Sequence, residues 1–182
     1  LTLASTAAVA GGGGGIFGYG GPLTLGTLVT IGAGSVGLFG GANPITLTGT
    51  SVAGGTAIAG AINGDWTLSN SMDNGALLTV GSFLSLQTAT TTRTLNIRGY
   101  GSTTFTGGIS NSASAAPVVV DVRMDSGATL TLSGSSNFSG GLNIYQGTVL
   151  LNNATAPTTA LSVTGSINSR ITLGGAVLRS NN

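Results

Sequence analysis

The sequence predicts an all-β chain wound into an elongated, right-handed parallel β-helix, a β-solenoid. Three observations predict it: hydrophobic residues alternate in short runs, glycine closes most of those runs, and segments of one pattern recur along the chain. The runs are Leu23-Thr24-Leu25, Ile45-Thr46-Leu47, Leu84-Ser85-Leu86, Leu95-Asn96-Ile97, Leu130-Thr131-Leu132 and Ile171-Thr172-Leu173. Alternation with period two places the two aliphatics of each run on one face of a strand and the small polar residue on the other. The glycine, asparagine or serine that follows within about two residues supplies the backbone freedom of a sharp bend.

Repetition decides between an antiparallel sandwich and a stacked coil, since alternation fits both. LTLSGSSNFSGGLNI from Leu130 and LNIRGYGSTTFTGGIS from Leu95 share two inward residues, a glycine, a variable loop, an aromatic, a hydroxyl residue, Gly-Gly and an aliphatic. ITLTGTSVAGGTAI from Ile45 repeats the scheme with Val52-Ala53 in place of the aromatic before Gly54-Gly55. The matched glycines Gly49, Gly99 and Gly134 are unevenly spaced, so insertions separate the copies. Such units cannot bury an apolar face alone and stack on their neighbours. Coils of roughly 20–25 residues give about seven or eight turns, each rising ~4.8 Å. Phe105 and Phe138 are expected at equivalent interior positions of two copies.

Composition agrees with this architecture. Of 182 residues, 33 are Gly, 27 Thr, 20 Ser and 13 Asn, which leaves few stable helices. The formal charges are Arg93, Arg98, Arg123, Arg170 and Arg179 against Asp65, Asp73, Asp121 and Asp125, with no Lys, Glu or His. No basic stripe is present for phosphate neutralisation, so nucleic acid and anionic membrane surfaces are not expected as partners. With 41% hydrophobic residues and little charge the chain is expected to fold, its surface solvated by Thr, Ser and Asn. That surface suits an extracellular surface or fibre better than a crowded cytosol.

Cysteine is absent, so disulfides and thiolate metal sites are excluded. Apolar stretches are interrupted well before the ~18 residues of a membrane helix, and no transmembrane segment is expected. Residues 1–10 end in Ala-Val-Ala like a signal peptide but lack a basic n-region, so the sequence is expected to begin within a longer chain. The run Gly11–Gly15 before Ile16-Phe17-Gly18-Tyr19-Gly20 is expected to form a tightly turned coil, and residues 111–117 and 153–160 to form exposed loops. Residues 1–182 read as a single solenoid segment without a domain boundary. Its best repeat lies at 127–152, with weaker copies at 95–110 and 45–58.

Residues 127–152, GATLTLSGSSNFSGGLNIYQGTVLLN, resemble the autotransporter-associated β-strand repeat of bacterial passenger domains. The matching positions are Gly127, Leu130 to Gly134, Phe138 to Gly141, Ile144, Gly147-Thr148-Val149 and Leu151. The resemblance implies a right-handed parallel β-helix and export across the outer membrane. A C-terminal barrel pattern, which the full family architecture carries, is not seen in this sequence.

Candidate chemistry is sparse, and no catalytic, cofactor-binding or metal-ligating residue is assigned. Asp121 and Asp125 need not share a face, and Asp65 and Asp73 are separated by a Trp-containing strand, so both pairs read as solvated carboxylates. Arg123 is expected to form a local ion pair between Asp121 and Asp125. Gly32-Ala33-Gly34-Ser35-Val36-Gly37 spells G-x-G-x-x-G without the helix that a phosphate loop needs, and the calcium nonapeptide pattern fails after Gly140-Gly141. Trp66, Tyr19, Tyr100 and Tyr145 are the residues from which a glycan-stacking platform could be built, against the more common use of aromatics as core or caps. Asn137-Phe138-Ser139 and Asn153-Ala154-Thr155 match the N-glycosylation acceptor.

The leading expectation is a structural or adhesive, non-enzymatic segment of a surface or secreted autotransporter-like passenger, with no cofactor. Its partners would be other copies of itself end to end, or host or matrix glycans or proteins. The alternatives are a fibre subunit assembled head to tail and a carbohydrate-binding or polysaccharide-degrading β-helix.

Overall fold

The computed structural model describes residues 2–3, 7–9, 14–49, 56–60, 64–73, 75–86, 90–111, 117–152 and 171–181. The Gly54-Gly55 pair, most of the 111–117 loop, and residues 153–170 with the second glycosylation acceptor and Arg170 lie outside them, as do Gly11–Gly13 and half of residues 1–10.

Among the described residues the chain forms twenty strands and no helix. The first coil holds β1 (Thr2–Leu3), β2 (Ala7–Val9) and β3 (Gly14–Gly18). The second holds β4 (Leu23–Leu25), β5 (Val29–Ile31) and β6 (Val36–Gly41); the third, β7 (Ile45–Leu47), β8 (Ile58–Gly60) and β9 (Trp66–Met72). The fourth holds β10 (Leu78–Val80), β11 (Phe83–Ser85) and β12 (Arg93–Gly99); the fifth, β13 (Thr103–Phe105), β14 (Ile109–Ser110) and β15 (Val118–Met124). Two further coils are described by β16 (Thr129–Leu132) with β17 (Gly141–Gln146) and β18 (Thr148–Leu151) with β19 (Ile171–Leu173), and β20 (Val177–Ser180) opens another.

The strands stack into three sheets in which every pairing is parallel. Sheet A runs β1-β4-β7-β10-β13-β16-β18-β20, sheet B runs β2-β5-β8-β11-β14, and sheet C runs β3-β6-β9-β12-β15-β17-β19. This is the predicted β-solenoid, with the right-handed sense that parallel crossovers favour. Coil length varies from 19 residues, Leu130 to Val149, to 33, Ile45 to Leu78.

One continuous core fills the interior. Ile45, Leu47, Leu95, Ile97, Leu130 and Leu132 all point into it and are all 0% exposed, as the alternation predicts. Trp66 and Phe83 are fully buried and meet at 5.6 Å between ring centroids. Asn70 is one of several buried polar residues. Its Nδ2 donates to Ser102 O (2.8 Å) and Thr103 Oγ1 (3.0 Å), and its Oδ1 accepts from Met72 N (3.1 Å), which pins the end of β9 to the next coil.

Three details differ from the sequence reading. The run Leu84-Ser85-Leu86 is turned over: Phe83 and Ser85 are buried, while Leu84 and Leu86 face outward. Phe83 takes the interior place beside Trp66, and the one-residue shift reverses every side chain after it. Second, Leu95 and Ile97 lie on sheet C, whereas Ile45, Leu47, Leu130 and Leu132 lie on sheet A. The true partners of Leu130-Thr131-Leu132 are Thr103-Thr104-Phe105. Phe105 and Phe138 are therefore both buried but not equivalent, Phe105 in β13 and Phe138 just before β17. Third, Gly99 ends a sheet C strand, while Gly49 and Gly134 turn the chain from sheet A toward sheet B.

That A-to-B corner is a stack of backbones. Gly81 N donates to Leu47 O (2.7 Å), Gly107 N donates to Gly81 O, and a Cβ on Gly134 would meet the Gly107–Gly108 backbone. The repeat at 127–152 spans one whole coil and the first strand of the next. Its sheet B position carries no strand, yet Asn137 N still donates to Ile109 O (2.9 Å) and Ile109 N to Ser136 Oγ (3.0 Å).

Candidate functional site

The outer surface is sorted by sheet. On sheet A the outward residue of successive strands is Thr24, Thr46, Thr79, Thr104 and Thr131, all in register. Leu150 and Arg179 continue the row. Seven of the eight described charged residues, Arg179 excepted, lie on sheet C strands or next to their ends.

Two parallel rows form the face of sheet C. One runs Leu38–Ser69–Arg98–Arg123–Gln146 and the other Val36–Thr67–Asn96–Asp121–Asn143–Thr172. Alternation puts both rows outside, because the residues between them, including Leu68, Leu95, Ile97, Val120, Val122 and Ile144, fill the core. Hydrogen bonds lock the rows together. Asn96 Nδ2 donates to Trp66 O (3.3 Å), Arg98 Nη2 donates to Asn96 Oδ1 (3.2 Å), and Asn143 Nδ2 donates to Asp121 Oδ1 (2.8 Å).

Arg123 does not pair with Asp121 or Asp125 as expected. Its guanidinium lies over the Tyr145 ring, 4.3 Å from the centroid, an attraction of the ring quadrupole for a cation. Asp121, Arg123 and Asp125 alternate outward on one face, so the two carboxylates do share a side. Asp65 and Asp73 sit at opposite ends of β9. Asp65 Oδ1 accepts from Thr94 N (2.8 Å) and Asp73 Oδ1 from the Tyr100 hydroxyl (3.1 Å). Donation to Asp73 raises the Tyr100 pKa above the ordinary phenol value. Among the described residues no group of three or more acidic, histidine or cysteine side chains could hold a metal.

The four aromatic candidates are not assembled into one platform. Trp66 is withdrawn into the core. Tyr19, 75% exposed, stacks on Phe17 at 5.7 Å beside a shallow cleft completed by Pro22 and Leu23. Tyr100 bonds Asp73, and Tyr145 supports Arg123. The G-x-G-x-x-G segment is a turn at Gly34 leading into strand β6, which is no phosphate loop. Asn137 is exposed, and its Oδ1 accepts from Asn111 N (3.2 Å).

Sequence reasoning missed the pairing of Arg98 with Arg123, because the pair exists only in the register of neighbouring coils. A signal was present in the equal offset of each arginine from the inward Leu95 and Val120. In comparisons with known proteins, no family model matches this chain, and neither a curated protein nor a solved structure does.

Proposed function

We propose that this solenoid is a structural or adhesive segment displayed on a bacterial surface or secreted, in the manner of an autotransporter passenger. One observation carries the reading: five consecutive coils present threonine at the same outward place, making a straight, uncharged hydroxyl-and-methyl row on a rigid sheet. Such a face holds its spacing without a ligand and offers contact area in place of a reactive group. The repeat at 127–152 supports the passenger assignment, since it occupies one full coil as a stacking unit should. Host or matrix glycans or proteins are the partners this reading names, and its action is mechanical.

Display of the chain on beads, followed by counting of beads retained on immobilised matrix and host-cell surfaces, tests it. Retention several-fold above bare beads is expected. Retention no better than bare beads, or depolymerisation of a polysaccharide that Asp121→Asn or Asp125→Asn abolishes, would replace the adhesive reading.

A second reading is head-to-tail assembly into fibres, supported by the all-parallel stacking in which each coil pairs with the one before.

A further inference from the structure

Sheet C strands hold three arginines, Arg93, Arg98 and Arg123, without an ion pair among the described residues, and two of them lie side by side. Arg98 and Arg123 are direct register partners on adjacent strands, both exposed, and neither has an ion pair among the described residues. Neighbouring strands lie ~4.8 Å apart, and like charges directly across a ladder are destabilising.

Each guanidinium is nonetheless held in place. Arg98 is tied to Asn96, which is itself anchored to Trp66 O. Arg123 rests on Tyr145, whose ring also lies beside Gly174, where a Cβ would stand 3.3 Å from Cδ1. Preorganised guanidinia on neighbouring strands, without an ion pair among the described residues, match a carboxylate, which guanidinium binds through parallel N–H···O bonds.

The surroundings narrow the class of carboxylate. Thr67, Asn96, Asp121 and Asn143 run beside the arginine row, one per coil, and supply amide, carboxylate and hydroxyl groups suited to ligand hydroxyls. Their regular spacing along the axis suits a linear polymer lying along the face. The four carboxylates on or beside the sheet make it a poor general anion exchanger, so selection must come from the arginine pair itself.

We infer that Arg98 and Arg123 form the anchoring subsite for a uronate unit of an acidic polysaccharide running along sheet C. Tyr145 and Asn96 are positioning residues that hold the two guanidinia. The inference goes beyond the adhesive reading and holds whether or not the chain is displayed at a surface.

Calorimetric titration of the whole chain with polygalacturonate tests it, with dextran, heparin and polyglutamate as the other arms. Polygalacturonate is expected to bind at near-physiological salt and dextran not to bind. Heparin and polyglutamate should bind at least tenfold more weakly. Arg98→Gln and Arg123→Gln should each weaken polygalacturonate at least tenfold, Arg98→Lys and Arg123→Lys less, and Arg179→Gln not at all. Unchanged emission from buried Trp66 shows that a variant is folded. No binding of polygalacturonate, equal binding of polyglutamate or heparin, or an equal loss in Arg179→Gln would overturn the subsite. The bead-retention result does not bear on these outcomes, so the two readings fail separately.

Discussion

At the scale of single residues, small groups decide whether coils can stack. Gly99 adopts φ +113° at the end of β12, and a Cβ there would strike the Asn70 carbonyl of the previous coil. Gly99→Ala combines a left-handed backbone strain of ~1–3 kcal/mol with a backbone clash, so a loss of about 3 kcal/mol is expected in denaturant unfolding. Tyr100 makes a pH-dependent contact nearby. Its phenol is protonated while it donates to Asp73, so that stabilisation is complete below the unfolded pKa of about 10 and is lost as pH rises through the higher folded value. With Tyr19 and Tyr145 replaced by Phe, tyrosinate absorbance should titrate above about 10, and adding Asp73→Ala should lower that midpoint. These details were hidden in the sequence, where Gly99 looked equivalent to Gly49 and Tyr100 read as a core or capping aromatic or as part of a glycan platform. Their roles depend on which residue of another coil lies alongside.

At the scale of strands, the interior pattern was readable wherever alternation had one solution. Ile45-Thr46-Leu47 and Leu130-Thr131-Leu132 present their aliphatics inward, and the small residue between them cannot compete for the core. The run at 84–86 misled because Phe83 stands immediately before it and adds more buried area than either leucine offers. Phe83→Ala should therefore cost ~3–5 kcal/mol, as for a large aromatic removed from a packed interior. The emission of Trp66, its ring neighbour, should change with it. A Leu84→Ala control should change stability by under about 1 kcal/mol, since Leu84 faces outward; a larger loss there would show the register to be wrong. Sheet membership was not readable from local pattern, because strands of sheets A and C both alternate and both end at glycine, as Leu95–Gly99 and Ile45–Gly49 do.

For the whole molecule, eight strands in sheet A span roughly 34 Å at ~4.8 Å per coil, and stability is carried between nearest neighbours. The stack and its parallel sense followed from repetition together with irregular spacing, whereas the functional face did not. Arg98 and Arg123 are 25 residues apart in sequence and become a pair only when one coil closes. Head-to-tail assembly makes a prediction at this scale: if copies join end to end, particle length in electron micrographs should grow with concentration. Short rods of one length at every concentration would refute the fibre.

The link between sheets A and B is two residues, Gly81 and Ser82, after β10, but ten residues, 48–57, after β7. Both coils nevertheless keep their pairing, Leu78 with Ile45 and Phe83 with Ile58. Pitch is thus uncoupled from local chain length along this edge. Peptide added to this link, by natural insertion or by design, is therefore expected to leave the threonine row and the arginine pair where they are.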